Sequence, residues 1–258
     1  TREVPAEAYY GVQALRAKQN FPITGTKLHP VFIKNLAQVK KAAAITNNNA
    51  GLLPKDKADA IVRACDEVIA GKWAEEFIVD AIQGGAGTSA NMNMNEVIAN
   101  RAGELLGCPK GSYKMVHPND HVNMAQSTND VIPTAGKLTV LDLLAPLEKA
   151  LGRLERELTK KAEEFDDVIT MGRTQLQDAV PIRLGQVFHG YASMVARDRK
   201  RIEKAHKEMY TVNLGGTAVG TAINVSDSYF YKIVPNLEKL TGYPLRQAED
   251  LFDATENL

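Results

Sequence analysis

Six large apolar residues recur at helical spacing in the middle of the chain. They follow one another at intervals of 3, 4, 3, 4 and 7 residues, and they are Leu144, Leu147, Leu151, Leu154, Leu158 and Phe165. This heptad-like pattern places all six side chains on one face of a single long helix. A helix of this kind buries its apolar face against other helices, as in antiparallel bundles. The spacing therefore predicts a protein that is mainly α and is built around a helical bundle.

Apolar residues at helical spacing also predict helices on both sides of this seam. The predicted ranges are 31–47, 54–71, about 93–106, about 182–212, and a long helix from about residue 226 onward. After Pro133 the predicted helices become long and carry regularly spaced apolar residues. This change predicts an N-terminal helical domain at 1–132 and a helical bundle domain at 133–258. A bundle needs a fourth long helix to cover its core, and we expect the chain to be a fragment whose bundle is incomplete.

Composition and charge exclude several functions. Lys+Arg and Asp+Glu are both 31, so the chain lacks the basic excess of a nucleic-acid-binding domain. No apolar run approaches the roughly 18 residues of a membrane span, and the first residues do not form a signal peptide. Cys65 and Cys108 form no CxxC motif, which argues against a disulfide framework or a zinc site. We therefore expect a cytoplasmic protein with no nucleic-acid or membrane partner.

The first of three polar segments, residues 84–96, is a Gly-rich loop that runs into a helix. Backbone N–H groups and small hydroxyls at such a helix start suit a carboxylate or a phosphate. A nucleotide-binding loop is a weak alternative, because neither GxGxxG nor a GKS or GKT ending is present. For a Gly cluster alone, a capped turn is the simpler interpretation.

The second polar segment covers residues 117–130. His117, Asp120 and His121 have the side chains of metal ligands, but Pro118 breaks the helix that would align the two histidines, and no fourth ligand lies nearby. We therefore expect no metal. The short polar side chains at 127–130 are typical of an N-cap for the long helix that follows.

The third polar segment, residues 171–181, joins two long helices. A hairpin loop explains its position, although Arg, Thr, two Gln and Asp give it more hydrogen-bonding capacity than a hairpin needs. None of the three segments contains a Ser/His/Asp triad order or a paired-carboxylate motif. Their neutral donors and helix N-termini suit a dianionic small acid, and they suit the negative charge that develops when a proton leaves carbon beside a carboxylate.

Taken in order, these segments resemble the aspartase/class II fumarase superfamily over essentially the whole chain. The matching motifs are GTSANMNMNE at 87–96, NMAQSTND at 123–130 and GRTQLQD at 172–178, with further matches at 9–17 and 213–221. The resemblance implies a mostly helical homotetramer in which each active site draws on three subunits. It also implies anti elimination from a small dicarboxylate, without a cofactor, through an aci-carboxylate intermediate to fumarate.

The resemblance further implies roles for individual residues. Its substrate-binding positions are Arg16, Thr88, Asn91, Ser127, Thr128, Asn129 and Gln175. Thr88 and Asn91 fall at one substrate carboxylate, and residues 127–129 fall around the other carboxylate and the leaving amine. Its catalytic positions are Thr128, Thr174 and Gln175, and its secondary, non-catalytic anion site is at His117, Asn119 and Asp120. The serine base of the family lies on a loop of the form GSSxMPxKxN, which has no match in this chain.

Four departures separate the chain from the usual fumarase motifs GSGTQSNMN, QSSND and GRTHLQD. They are Ala86 for Ser, Ser89-Ala90 for Gln-Ser, Thr128 for the second Ser, and Gln175 for His. All four favour the aspartase branch, and hence elimination of ammonia from L-aspartate. A glutamine amide does not titrate near neutral pH, so Gln175 can only orient or hydrogen-bond. Class II fumarate hydratase and a non-catalytic helical assembly module are the alternatives.

Overall fold

The structure, a computed structural model, describes residues 2–85 and 87–257 and is mainly helical, as predicted. The α-helices of these residues are α1 (Val12–Asn20), α2 (Pro30–Asn49), α3 (Lys55–Ile69), α4 (Thr88–Leu105), α5 (Thr128–Glu164), α6 (Leu184–Glu208), α7 (Asp227–Phe230), α8 (Ile233–Thr241) and α9 (Asp253–Glu256). A 3₁₀ turn covers Ala74–Glu76 and a π-helical turn covers Pro118–Val122. Within the described ranges no helix has the length and apolar character to cross a membrane.

Four short strands accompany the helices in the part of the chain that the structure describes. They are β1 (Ile169–Thr174), β2 (Gln177–Arg183), β3 (Thr211–Val212) and β4 (Arg246–Gln247). β1 and β2 pair antiparallel from Ile169 opposite Arg183 to Thr174 opposite Gln177, with an irregularity at Gly172. The third polar segment is therefore a β-hairpin between α5 and α6. β3 and β4 form a short parallel pair.

Helices α2 and α3 confirm the predicted helices at 31–47 and 54–71. Pro30 occupies the first turn of α2, where its missing N–H costs nothing, and the His29 side chain accepts the N–H of Val31. Helix α4 begins at Thr88, five residues before the predicted start near Asn93. Gly87 precedes it in the left-handed conformation with φ 92°. Because the first turn of α4 is mostly polar, the spacing of apolar residues did not indicate where the helix begins.

The predicted long helix from residue 226 is wrong. The chain instead forms α7 and α8, which are separated at residues 231–232. Pro235 lies in the first turn of α8, because its ring would clash with the carbonyl of residue 231 if the helix continued upstream. Gly242 ends α8 in the left-handed conformation with φ 74°.

The chain forms two compact units, one made of the residues up to Thr139 together with those from Tyr210 onward, the other of Val140–Met209. In the first unit α2, α3, α4 and α8 contribute fully buried side chains, among them Leu36, Ile61, Met94, Ile98 and Leu237. In the second unit Phe165 packs on Phe188 with ring centroids 5.4 Å apart. The domain division at residues 132/133 stays a prediction.

Close backbone packing in the second unit leaves no room for a side chain at Gly185. A Cβ at Gly185 would lie 2.4 Å from the Ala162 carbonyl oxygen and 2.8 Å from Asp166 Cα, whereas a Cβ at Gly190, on the same helix, would meet nothing within 4 Å. We expect Gly185→Ala to lower the free energy of unfolding by about 1–3 kcal/mol, the cost typical of overpacking. Gly190→Ala is the matched control and should raise it by up to about 1 kcal/mol. Urea unfolding followed by circular dichroism measures both, and equal effects would contradict the packing.

Candidate active site

The asparagine-rich first motif supplies scaffold contacts from helix α4. Asn93 accepts the N–H of Ile78 and donates to the Glu76 carbonyl, both at 2.9 Å. One turn after the motif on the same helix, Asn100 donates to the Tyr9 carbonyl at 2.7 Å. Both asparagines are buried. These polar residues therefore hold neighbouring segments in place, and only part of the motif is left to face a ligand.

Glu96 of the same motif caps helix α1. Its buried carboxylate accepts the N–H groups of Gly11 at 2.9 Å, Gln13 at 2.8 Å and Ala14 at 3.0 Å. Burial raises the pKa of Glu96, and these backbone N–H groups oppose the rise. A Cβ at Gly11 would lie 2.6 Å from the carboxylate, so this approach requires glycine. Because α1 carries the exposed Arg16, the first motif positions the helix on which this predicted site residue lies.

Two further asparagines of α4 contact the second motif. The Asn91 amide donates to Asn123 Oδ1 at 3.1 Å and to Thr128 Oγ1 at 3.3 Å. Asn95 donates to the same Asn123 oxygen at 3.2 Å. The structure therefore brings together Asn91 and Thr128, two of the predicted site residues, and joins them through Asn123.

Lys40, a residue that the sequence analysis did not assign to the site, is fully buried on α2. Its ammonium group donates to Asn123 Oδ1 at 2.9 Å and to Gln126 Oε1 at 3.0 Å. Burial lowers the pKa of Lys40 to about 7, and the charge of Asp130 opposes this shift. The signal for Lys40 was its position within the apolar pattern of α2, where a lysine is buried only if it has partners.

The N-cap interpretation of residues 127–130 is confirmed. Ser127 Oγ accepts the N–H of Asn129 at 3.2 Å, and the Ser127 N–H donates to Asp130 Oδ1 at 2.9 Å. The other Asp130 oxygen accepts the N–H groups of Gly215 and Thr217, both at 3.1 Å. Burial raises the pKa of Asp130 to about 6, and these N–H groups and the Lys40 charge oppose the rise.

The 213–221 segment, a further match of the resemblance, is bound to the second motif. Besides the contacts of Asp130, the Asn129 amide donates to the Ala218 carbonyl at 2.7 Å, and Asn213 donates to the Asn129 carbonyl at 2.9 Å. Thr217 lies in the left-handed region with φ 59°, and its hydroxyl is buried without a hydrogen-bond partner. The segment therefore fixes the first turn of α5 through hydrogen bonds to Asn129 and Asp130.

The Gly-rich loop packs directly on helix α5. A Cβ at Gly87 would lie 2.9 Å from Ile132 Cγ2, so this contact requires glycine. Thr88 follows as the first residue of α4, is exposed, and lies one turn before Asn91. Ala86, one of the departures from the fumarase motif, lies outside the described residues. The first motif therefore packs on α5 just after the second motif, in addition to its hydrogen bonds with the second motif.

Thr174 and Gln175 lie at the turn of the β1–β2 hairpin in the second unit, and both are exposed. Gln175 and Leu176 have φ 48° and 63°, an uncommon conformation for residues other than glycine. Arg173 donates to Asp178 at 3.0 Å across the base of the turn. The substrate-binding and catalytic roles of the two residues stay predictions.

The predicted secondary anion site lies at the π-helical turn. His117 Nδ1 accepts the N–H of Asp120 at 3.3 Å and lies 3.2 Å from its carboxylate, and Asn119 is exposed. His121 Nε2 lies 3.0 Å from Lys57 Nζ, and burial and then this ammonium lower the pKa of His121. Over the described ranges, no three His, Cys, Asp or Glu side chains are grouped to hold a metal ion.

Comparison with known proteins shows the class to which this chain belongs. A family model described as Lyase matches residues 1–258. The chain therefore belongs to this lyase family.

Its relatives define the class more narrowly. The chain is 55% identical over 256 residues to an aspartate ammonia-lyase of Bacillus sp and 48% identical over 260 residues to that of Escherichia coli strain K12. These alignments cover 99% and 100% of the chain, but 55% and 54% of the relatives. The chain thus spans about half the length of the curated relatives that it matches.

Two solved structures agree with the fold. A fumarate lyase:delta crystallin from Brucella melitensis, bound to cobalt, superposes with a TM-score of 0.93 at 49% identity. A class II fumarase from Schistosoma mansoni superposes with a TM-score of 0.89 at 37% identity. They cover 98% and 97% of this chain, and 56% of each of those chains is covered.

Proposed function

We propose that the chain is the N-terminal and central part of an aspartate ammonia-lyase, which reversibly eliminates ammonia from L-aspartate to give fumarate. The observation that carries this proposal is the hydrogen bond between Asn91 and Thr128, which unites the first and second motifs in one polar cluster. The identity of 48–55% to aspartate ammonia-lyases supports the choice of substrate.

The proposed reaction needs a site that stabilises the negative charge that develops on the substrate when a proton leaves carbon beside a carboxylate. Removal of the Cβ proton of aspartate sends its electron pair into the neighbouring carboxylate, which becomes an aci-carboxylate. The C–N bond at Cα then breaks, and the pair returns to form the double bond of fumarate. Neutral donors held by the fold stabilise the developing charge without reorganisation, and the hydroxyls of Thr88 and Thr128 supply such donors. Asn91 holds the Thr128 hydroxyl oxygen by a hydrogen bond of 3.3 Å. Arg16 supplies a cation.

Two requirements of the proposal lie beyond the binding residues. The proton must be taken by a base, which we assign to the serine of the family's mobile loop, so these 258 residues supply binding groups without the base. The substrate site is proposed to form in a homotetramer. Leu147 and Leu154 support this, because they are 44% and 47% exposed in the single chain and give α5 an apolar face to bury.

Two alternatives remain open. Class II fumarate hydratase is supported by the likeness to the Schistosoma mansoni enzyme, whose substrate would differ only in carrying a hydroxyl at Cα. The chain by itself could also serve as an inactive helical assembly module, in which the apolar face of α5 does no more than bind other helices.

Steady-state kinetics on the full-length enzyme distinguish the two activities. We expect kcat/KM for L-aspartate to exceed that for L-malate by at least about tenfold, or about 1.4 kcal/mol. Aspartate presents an ammonium with three donors and no acceptor, and Gln175 offers an amide oxygen where a protonated histidine would repel it. Fumarate absorbance reports both reactions, so the two substrates share one readout. A value for malate equal to that for aspartate would favour the hydratase.

A further inference from the structure

The buried Lys40 fixes which way the Asn123 amide faces. Its amino group lies 2.9 Å from Asn123 Oδ1 and 3.0 Å from Gln126 Oε1. A reversed Asn123 would set its NH₂ against the donors of Lys40 and its oxygen against the Gln126 carbonyl, which now accepts from Asn123 at 3.2 Å. A neutral lysine would still have two N–H groups for its two oxygen partners. The orientation therefore holds in both charge states of Lys40.

The orientation of Asn123 determines the orientation of two asparagine amides on α4. Since the Asn123 oxygen already accepts from Lys40, the Asn91 and Asn95 groups that contact it must be their NH₂ groups. Their own Oδ1 atoms are consequently buried without a hydrogen-bond partner. An unpaired buried acceptor costs free energy. The arrangement is thus held against a local penalty, as expected of a site under functional constraint.

The direction of the Asn91 amide decides which role the Thr128 hydroxyl plays. Asn91 contacts Thr128 Oγ1 with its NH₂ group, so the hydroxyl oxygen is the acceptor in that bond. The hydroxyl proton is not used in this contact. A carboxylate offers only acceptors and can take that proton, whereas an ammonium would bring a second donor to the same oxygen and leave the proton without an acceptor.

We propose that Lys40 is a positioning residue that acts through Asn123 and Asn91 to direct the Thr128 hydroxyl proton at a carboxylate oxygen of the substrate. This rests on the proposed function and assigns Thr128 to the carboxylate, where the sequence analysis left it between the carboxylate and the leaving amine. Lys40 itself need not touch the substrate.

Succinate, a dicarboxylate without an amine, separates the two assignments for Thr128. Thr128→Val keeps the side-chain shape and removes the hydroxyl. In the full-length enzyme we expect it to weaken succinate binding, measured by calorimetry, by at least about tenfold, and to weaken aspartate by a similar factor. Thr128→Ser restores the hydroxyl and should recover most of the affinity. A loss for aspartate with none for succinate would overturn the assignment.

A double-mutant cycle tests the part played by Lys40. In a Lys40→Met background the Asn123 amide loses its charged partner and only the Gln126 carbonyl still sets its direction. Adding Thr128→Val should then weaken succinate binding less than about twofold further. Asn123→Asp loses the donor to the Gln126 carbonyl but keeps an acceptor oxygen toward Lys40 and Asn91, so most of the tenfold effect should remain there. Independent effects of Lys40→Met and Thr128→Val would overturn the proposal.

Two controls keep the result interpretable. If circular dichroism shows that Lys40→Met does not fold, Asn123→Leu breaks the same chain of hydrogen bonds and takes its place in the cycle. Wild-type enzyme that binds succinate without converting aspartate would overturn the proposed function alone. Wild-type enzyme that does not bind succinate would overturn both.

Discussion

Replacing Glu96 by alanine is expected to lower the free energy of unfolding by about 3–5 kcal/mol. Three backbone N–H groups at the start of α1 lose a charged acceptor in a buried setting, and each such loss costs about 1–3 kcal/mol before relaxation. The favourable interaction of a carboxylate with the helix N-terminus is lost as well. Urea unfolding of the chain, followed by circular dichroism, measures the change.

Two further variants locate the effect in the carboxylate. Glu96→Gln retains one acceptor oxygen and should lose roughly half as much stability as alanine. Glu75→Ala removes an exposed glutamate that is paired with Lys27, and it should change stability little, because such surface pairs contribute little. A loss at Glu75 as large as that at Glu96 would mean that the cap of α1 is not what stabilises this region.

A polypeptide of these 258 residues alone is expected to convert L-aspartate to fumarate at least about 100-fold more slowly than the full-length enzyme. A general base contributes about 10²–10⁴-fold to a proton abstraction, and the family loop that carries the serine has no match here. Fumarate absorbance under saturating aspartate gives both rates. Succinate binding by the same polypeptide shows whether the binding residues are in place, and conversion at the full-length rate would show that the base lies within this chain.

The helices were predictable where their causes are local. The apolar spacing of α2 and α3 marks a buried face, and Pro30 and Pro54 lie at their starts, so residue pattern and structure agree. The start of α4 was missed because Thr88 begins a helix of polar residues that bury against other segments. The break before α8 was missed because the apolar pattern continues across it, while Pro235 acts on the carbonyl four residues earlier.

The site was predictable only in part, for a physical reason. The contact between Asn91 and Thr128 joins two polar segments that the sequence already singled out. Lys40 meets Asn123 across 83 residues of chain, and no local pattern reports a tertiary partner at that separation. The scaffold roles of Asn93 and Glu96 were hidden in the same way, since a run of asparagines looks uniformly ligand-facing until its partners are known.

The turn of the β1–β2 hairpin has a consequence for engineering the protein. Gln175 and Leu176 are the two residues between paired Thr174 and Gln177, and both have positive φ. Asn-Gly suits such a two-residue turn best, so the present pair costs about 1–2 kcal/mol per residue in backbone conformation. Selection for heat resistance would therefore be drawn to this turn. If Gln175 acts as we propose, the variants that gain most stability at this turn would also lose catalytic activity.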